Sequence, residues 1–162
     1  MKKLALILFL IPSFLLGQTS LDLKILKELN EYRKLNGLVA LSYDPISSSA
    51  SKYHSKWMNL SGEVSHDENK DVQGFKEIVT LEDRNEFFKV NMFAEIVTFC
   101  EISDFSGPLT EDQIAKRIIQ IFSKSPKHDE IMKMFIREGV PVGVGIGVVK
   151  GKEFLAVTIN FS

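Results

Sequence analysis

The chain has 162 residues, 44% hydrophobic and 25% charged, with 20 Lys plus Arg against 21 Asp plus Glu and a formal net charge of −1. This is the size and composition of one globular domain and excludes disordered and collagen-like chains. With no basic excess, nucleic acid is not expected as a partner, because phosphate backbones are met by clustered Lys and Arg. One cysteine, Cys100, cannot build an internal disulfide framework, so a conventional core must hold the fold. Beside Phe99, Cys100 reads as a small buried hydrophobe rather than a reactive thiol.

Lys2 and Lys3 precede an apolar run from Leu4 to Leu16, after which Gly17, Gln18 and Thr19 turn polar. That is the pattern of a secretory leader, and the run is shorter than the roughly 20 residues that span a bilayer. The expectation is removal of residues 1–17 at the Gly17–Gln18 bond, a domain over 18–162 with no transmembrane anchor after cleavage, and a secreted or periplasmic location.

Leu21 to Asn36 places Ile25, Leu26, Leu29 and Tyr32 at helical spacing, with Gly37 as the stop. Asp44-Pro45 combines an N-cap carboxylate with proline at the first helical position. The predicted second helix then runs to Ser61-Gly62, with Ile46, Ala50, Tyr53 or His54, and Trp57 as its apolar face. Glu63 to Gln73 reads as loop and Thr80 to Phe88 as a short helix. Met92 to Ile102 is a β-prone run around Glu95. Thr110 and Gln113 form a capping box for a helix with Ile114, Ile118, Ile121 and Phe122 on its buried face, ended by Ser125-Pro126. Val142 to Val149 alternates branched residues with Gly143, Gly145 and Gly147 and returns through Lys150-Gly151 into Phe154 to Phe161, a hairpin. The glycines leave one strand face without side chains, so a helix can approach closely. Lying inside a strand, they do not form a phosphate loop.

Three positions carry the chemistry. His66 stands in the loop after the second helix, His128 follows the third, and Glu95 interrupts the most apolar strand. If they meet at one edge of the sheet, two imidazoles and a carboxylate suit zinc or a similar divalent ion. From spacing alone, a hydrogen-bonded polar cluster or three unrelated surface residues remain open readings beside it. His54, three residues before Trp57, reads as a helix-face histidine that packs or hydrogen bonds near the indole. Neither H-E-x-x-H nor G-x-S-x-G occurs, which leaves Ser125 with His128 and Glu95 as the one nucleophile arrangement for geometry to judge.

Leu26-Lys27-Glu28-Leu29-Asn30-Glu31-Tyr32-Arg33 through Gly37-Leu38, then Leu41-Ser42-Tyr43-Asp44-Pro45 and Ala50, resemble the opening of the CAP superfamily. That superfamily joins cysteine-rich secretory proteins, antigen 5 and pathogenesis-related 1 proteins, and is also called the SCP domain. Ser65-His66, Ala94-Glu95-Ile96, Ser125-Pro126-Lys127-His128 and the closing glycine-rich strands follow in the family's order and look like its bacterial branch. The resemblance implies an α+β fold, an α-β-α sandwich with helices on both faces of a mainly antiparallel sheet. It also implies a cleft of two histidines and two acids that takes a divalent metal in several members. His66, Glu95 and His128 match three of those positions. Ser125 replaces the second acid, Ile96 replaces an asparagine, and Asp129 replaces a basic residue, so a zinc-like ion is expected to bind more weakly than in a full tetrad. Residues 67–91 have no counterpart in the match. The implied function is a non-catalytic binding or interaction module for a lipid, cell-envelope or protein ligand. The alternative is an envelope hydrolase of peptidase type using the same cleft.

Overall fold

The computed structural model describes residues 20–75, 78–101, 109–134 and 142–162. The leader expected at residues 1–17, and Ile102 at the end of the predicted strand, lie outside the described residues. The elements in order are α1 (Ser20–Leu35), β1 (Ser42–Tyr43), α2 (Pro45–Ser61), α3 (Leu81–Phe88), β2 (Ala94–Glu101), α4 (Glu111–Ser123), α5 (Pro126–Met132), β3 (Gly143–Lys150) and β4 (Phe154–Phe161). The strands form one sheet ordered β1-β3-β4-β2, in which only β1 pairs parallel. The expected α+β architecture is present. β1 escapes sequence reading because two residues are too few to show an alternation.

Strand alternation divides the interior in two. One face presents Ile96, Val144, Ile146, Val157, Ile159 and Phe161 to α1, α4 and α5, which contribute Ile25, Leu29, Ile118, Phe122 and Met132. The other presents Val97 and Ala156 to Trp57 and Met58 of α2. Cys100 is buried in the larger cluster, as expected.

α2 lies directly on the backbone of β3. A Cβ added to Gly145 would stand 2.2 Å from the carbonyl carbon of Ser47, and one on Gly147 would stand 2.3 Å from the amide nitrogen of Lys52. The close approach foreseen from the glycines is real, yet the helix face that makes it differs from expectation. Ile46 is 49% exposed. Ser47, Ser51 and Ser55 make the contact instead, at four-residue spacing, because small side chains let the two backbones meet. Their hydroxyls are satisfied there: Ser55 donates to the Gly147 carbonyl at 2.9 Å and shares a hydrogen bond with Thr158 Oγ1 at 2.8 Å, while Asn160 Nδ2 donates to Ser51 Oγ at 2.9 Å.

The helix ends follow the sequence signals. The Asp44 carboxylate accepts from the Ile46 and Ser47 amides at 2.9 and 3.2 Å, and Gly62 closes α2 with φ 73°. Thr110 and Gln113 form the expected capping box. Ser125-Pro126 departs from expectation: it ends α4 and opens α5, since proline's missing N–H is no loss at a first helical position. His128 therefore sits inside a helix. Arg33 donates to the carbonyls of Met132 and Met134 at 2.8 and 3.2 Å, and Tyr32 donates to Asp129, so α1 holds α5 in place.

Trp57 and Phe122 are 1% and 0% exposed, and both belong to the core as their helix positions require. Phe122→Ala should lower the unfolding free energy by about 3–5 kcal/mol in a urea titration. Gly147→Ala should cost at least the upper part of the roughly 1–3 kcal/mol of ordinary overpacking, because its new methyl meets helix backbone rather than a movable side chain.

Candidate functional site

β2 is a terminal strand of the sheet, and register places Glu95 opposite Asn160, on the face that α2 covers. An ionised carboxylate on that face needs a partner, because burying it alone costs several kcal/mol. The partner is Arg84 of α3. Its Nη2 lies 2.9 Å from both oxygens of Glu95 and donates at 3.0 Å to the His66 carbonyl, while its Nη1 reaches Glu68 Oε1 at 3.4 Å. Arg84, Glu68 and Glu95 have 0%, 1% and 2% of their side chains exposed. α3 is held in position by the Thr80–Asp83 capping box, and the Glu68 amide donates to the Val79 carbonyl at 2.8 Å just before it.

His54 completes the buried part. Its ring stacks on Trp57 with centroids 5.9 Å apart, as expected, but both ring nitrogens also serve the cluster. Nε2 donates at 2.8 Å to the Ser65 carbonyl, which can only accept, so a further proton must lie in the 2.9 Å contact between Nδ1 and Glu68 Oε1. His54 Nε2 also lies 3.8 Å from Glu95 Oε1. Two carboxylates thus face a guanidinium and a histidine that shares a proton with one of them.

His66 is the exposed end of this network. With 57% of its side chain in solvent, its Nδ1 sits 3.1 Å from Glu95 Oε1. The hydrogen bond to Glu95 raises the His66 pKa above the ordinary 6.5, against the opposing effects of burial and of the Arg84 charge. Burial pushes the Glu95 carboxyl up, but the His66 hydrogen bond and the charges of His54, Arg84 and His66 outweigh it and hold the group below its usual range.

Of the three residues expected to converge, His66 and Glu95 do so. His128 packs edge-on against Phe122 with centroids 5.3 Å apart. It is near enough for the His66 charge, added to burial, to lower its pKa, and among the described residues it makes no hydrogen bond to His66 or Glu95. Ser125 occupies the N-cap of α5 without a side-chain cap bond. Asp129, where the resemblance leads one to expect a basic residue, is held by Tyr32 and by Lys133 at 2.8 Å.

The divalent ion implied by the resemblance does not fit these donors as they stand. Both Glu95 oxygens are already bonded to a guanidinium that cannot deprotonate, and among the described residues no three His, Cys, Asp or Glu side chains are grouped to hold a metal. Sequence reasoning missed Glu68 and Arg84 altogether, and it read His54 as packing or hydrogen bonding near Trp57 without its place in this cluster. One signal was available. Leu81, Arg84 and Phe88 share a helical face, which puts a lone cation on the buried side of a short helix.

By sequence, residues 26–161 match the Cysteine-rich secretory protein family, CAP. No curated protein matches the chain. Among solved structures, it is similar to an extracellular protein containing a SCP domain from Bacillus anthracis str. Ames, with TM-score 0.58 and 22% identity over 85% of this chain and 39% of that one. It is also similar to an outer surface protein from Borrelia burgdorferi, with TM-score 0.61 and 16% identity over 90% of this chain and 96% of that one. The chain spans well under half the Bacillus protein and nearly all of the Borrelia protein, and at these identities the likeness is one of fold. With the family match covering most of the chain and the sandwich, closing strands and His66–Glu95 pair all in place, this protein belongs to the CAP family.

Proposed function

We propose that this protein is an exported, non-catalytic binding module whose contact point is the exposed imidazole of His66, with His128 beside it. The observation that carries this reading is the state of Glu95. Its two oxygens are bonded to Arg84 and one of them also to His66, so the carboxylate is a fixed support and not a free acid or base. The imidazole it supports is bonded to Glu95 through Nδ1 and has 57% of its side chain in solvent. Protonated, it donates to an acidic group on a lipid, envelope component or protein. Hydrolysis through a covalent intermediate would need a side-chain nucleophile activated by a base, and among the described residues no Ser, Thr or Cys side chain is hydrogen-bonded to His66 or His128. The extracellular and outer-surface placement of the two similar structures supports export, as does the leader-like start of the chain. Among the described residues no helix is long and apolar enough to cross a membrane.

Wild type and His66→Ala separate binding from turnover. Wild type should co-sediment with vesicles containing anionic phospholipid or with purified peptidoglycan, His66→Ala should do so at least several-fold less, and neither should cleave peptides, esters or peptidoglycan. Cleavage by wild type that disappears in His66→Ala would replace the module with a hydrolase. Intact-mass measurement of exported material should give a chain beginning at Gln18.

The His66–Glu95 pair also sets a pH window. The raised His66 pKa contributes stability that is fully present below its unfolded value of 6.5 and is lost as pH rises through the folded value. The lowered Glu95 pKa contributes stability that is present above its unfolded value of 4.5 and is lost as pH falls through the folded value. The difference in melting temperature between wild type and His66→Gln should therefore be largest between 4.5 and 6.5 and shrink on both sides. A difference independent of pH would show that the two groups are not coupled.

A further inference from the structure

A hollow lies across α2 from the His66 cluster. Residues two apart on an α-helix are separated by about 200°, so Lys52 and Lys56 stand on the far side of α2 from His54. β1 ends at Tyr43 after two residues. Past that point the Ile146 amide of β3 donates at 3.0 Å to Ser48 Oγ of α2 instead of to a strand. The early end of β1 leaves a hollow of about 370 Å³ lined by β1, α2 and the end of α3. Tyr43, Pro45, Tyr53 and Phe88 give it apolar and aromatic walls, and the exposed Lys52 and Lys56 line it as well. Tyr53 is held by other rings, with centroids 4.8 Å from Phe75 and 5.7 Å from Phe88. Apolar walls with a few polar groups are the usual composition of a small-molecule site. The charge in this one is unbalanced. Lys24, Lys70 and Lys133 each have a carboxylate partner. Among the described residues neither Lys52 nor Lys56 has one, and the Lys56 ammonium stands over the Phe75 ring, 5.9 Å from its centroid. Two like charges one turn apart repel, which an anion between them would relieve. Asp22 also lines the hollow, 2% exposed and engaged within the chain. Its charge turns an anion away from that end and leaves the lysine pair as the anchor.

We propose that this hollow is a binding site for a small organic anion with a flat apolar body. The rings of Tyr43, Tyr53 and Phe88 pack against the body, and Lys52 and Lys56 bind the acidic group. The site is separate from His66 and does not depend on what that imidazole contacts.

The test is a fluorescence titration of the purified protein with anilinonaphthalene sulfonate, an aromatic anion that brightens in apolar surroundings, and with its uncharged parent phenylnaphthylamine. Wild type should bind one equivalent of the sulfonate, and more weakly as salt is raised, because exposed charges are screened. Lys52→Gln combined with Lys56→Gln changes only exposed side chains; it should weaken the sulfonate by about fivefold or more at low salt and leave the neutral dye unchanged. Ser49 also lines the hollow, and Ser49→Phe should displace both dyes by filling it. His66→Ala should bind both as wild type does. The proposal is overturned if wild type shows no saturable binding, if the lysine pair leaves the sulfonate unaffected or weakens both dyes equally, if folded Ser49→Phe still binds, or if His66→Ala abolishes binding.

Discussion

The Arg84 guanidinium ties α3 to two other parts of the chain, the loop after α2 and the terminal strand β2. It bonds Glu95 on the terminal strand, approaches Glu68 in the loop after α2, and caps the carbonyl of His66. Removing one partner of such a buried set typically costs about 3–5 kcal/mol, because the remaining charge has no water to turn to. Replacing the whole set by apolar residues need not cost anything, so the network does not prove stability. What it specifies is arrangement. Only with the charges matched can β2 carry an ionised carboxylate inward, and only then does His66 have a fixed support at the surface.

A second constraint sets the frame for the first. Backbone contact between α2 and the glycine face of β3 fixes the depth at which α2 lies. His54 and Trp57 belong to the same helix, so their distance from the sheet is set by Ser47, Ser51 and Ser55 packing on Gly145 and Gly147. A bulkier stripe would lift the helix and carry His54 away from Glu68 and Glu95. The serine hydroxyls in this interface are hydrogen-bonded to β3 and β4, which is why a serine-rich helix face can lie buried.

The two exposed-edge histidines differ because their surroundings do. His66 gains a carboxylate and is pushed toward its charged form, whereas His128 loses solvent and feels the charge of His66. The same cleft therefore biases one imidazole toward its charged form and the other away from it.

Much of this was legible in the residues themselves. Pro45 after Asp44, the Thr110–Gln113 box and the Gly143 to Gly147 alternation signal local geometry that neighbouring residues enforce, and each appears where it was read. His66 and Glu95 were legible through ordered resemblance to a family. The serine stripe of α2, the helix opened by Pro126 and the roles of Glu68, Arg84 and His54 were not. Apolar periodicity points to the face that avoids water, and it does not register a helix face that a partner's missing side chains make room for. A buried charge looks like a surface charge in sequence, because its partner stands 11 or more residues away and the pairing exists only after the chain has folded. The sequence by itself determined the longer helices and strands and the caps that end them, but not β1 or α5. Only the tertiary structure decided that the cation at Glu95 is an arginine, since that depends on which side chains desolvate one another and not on how they are spaced.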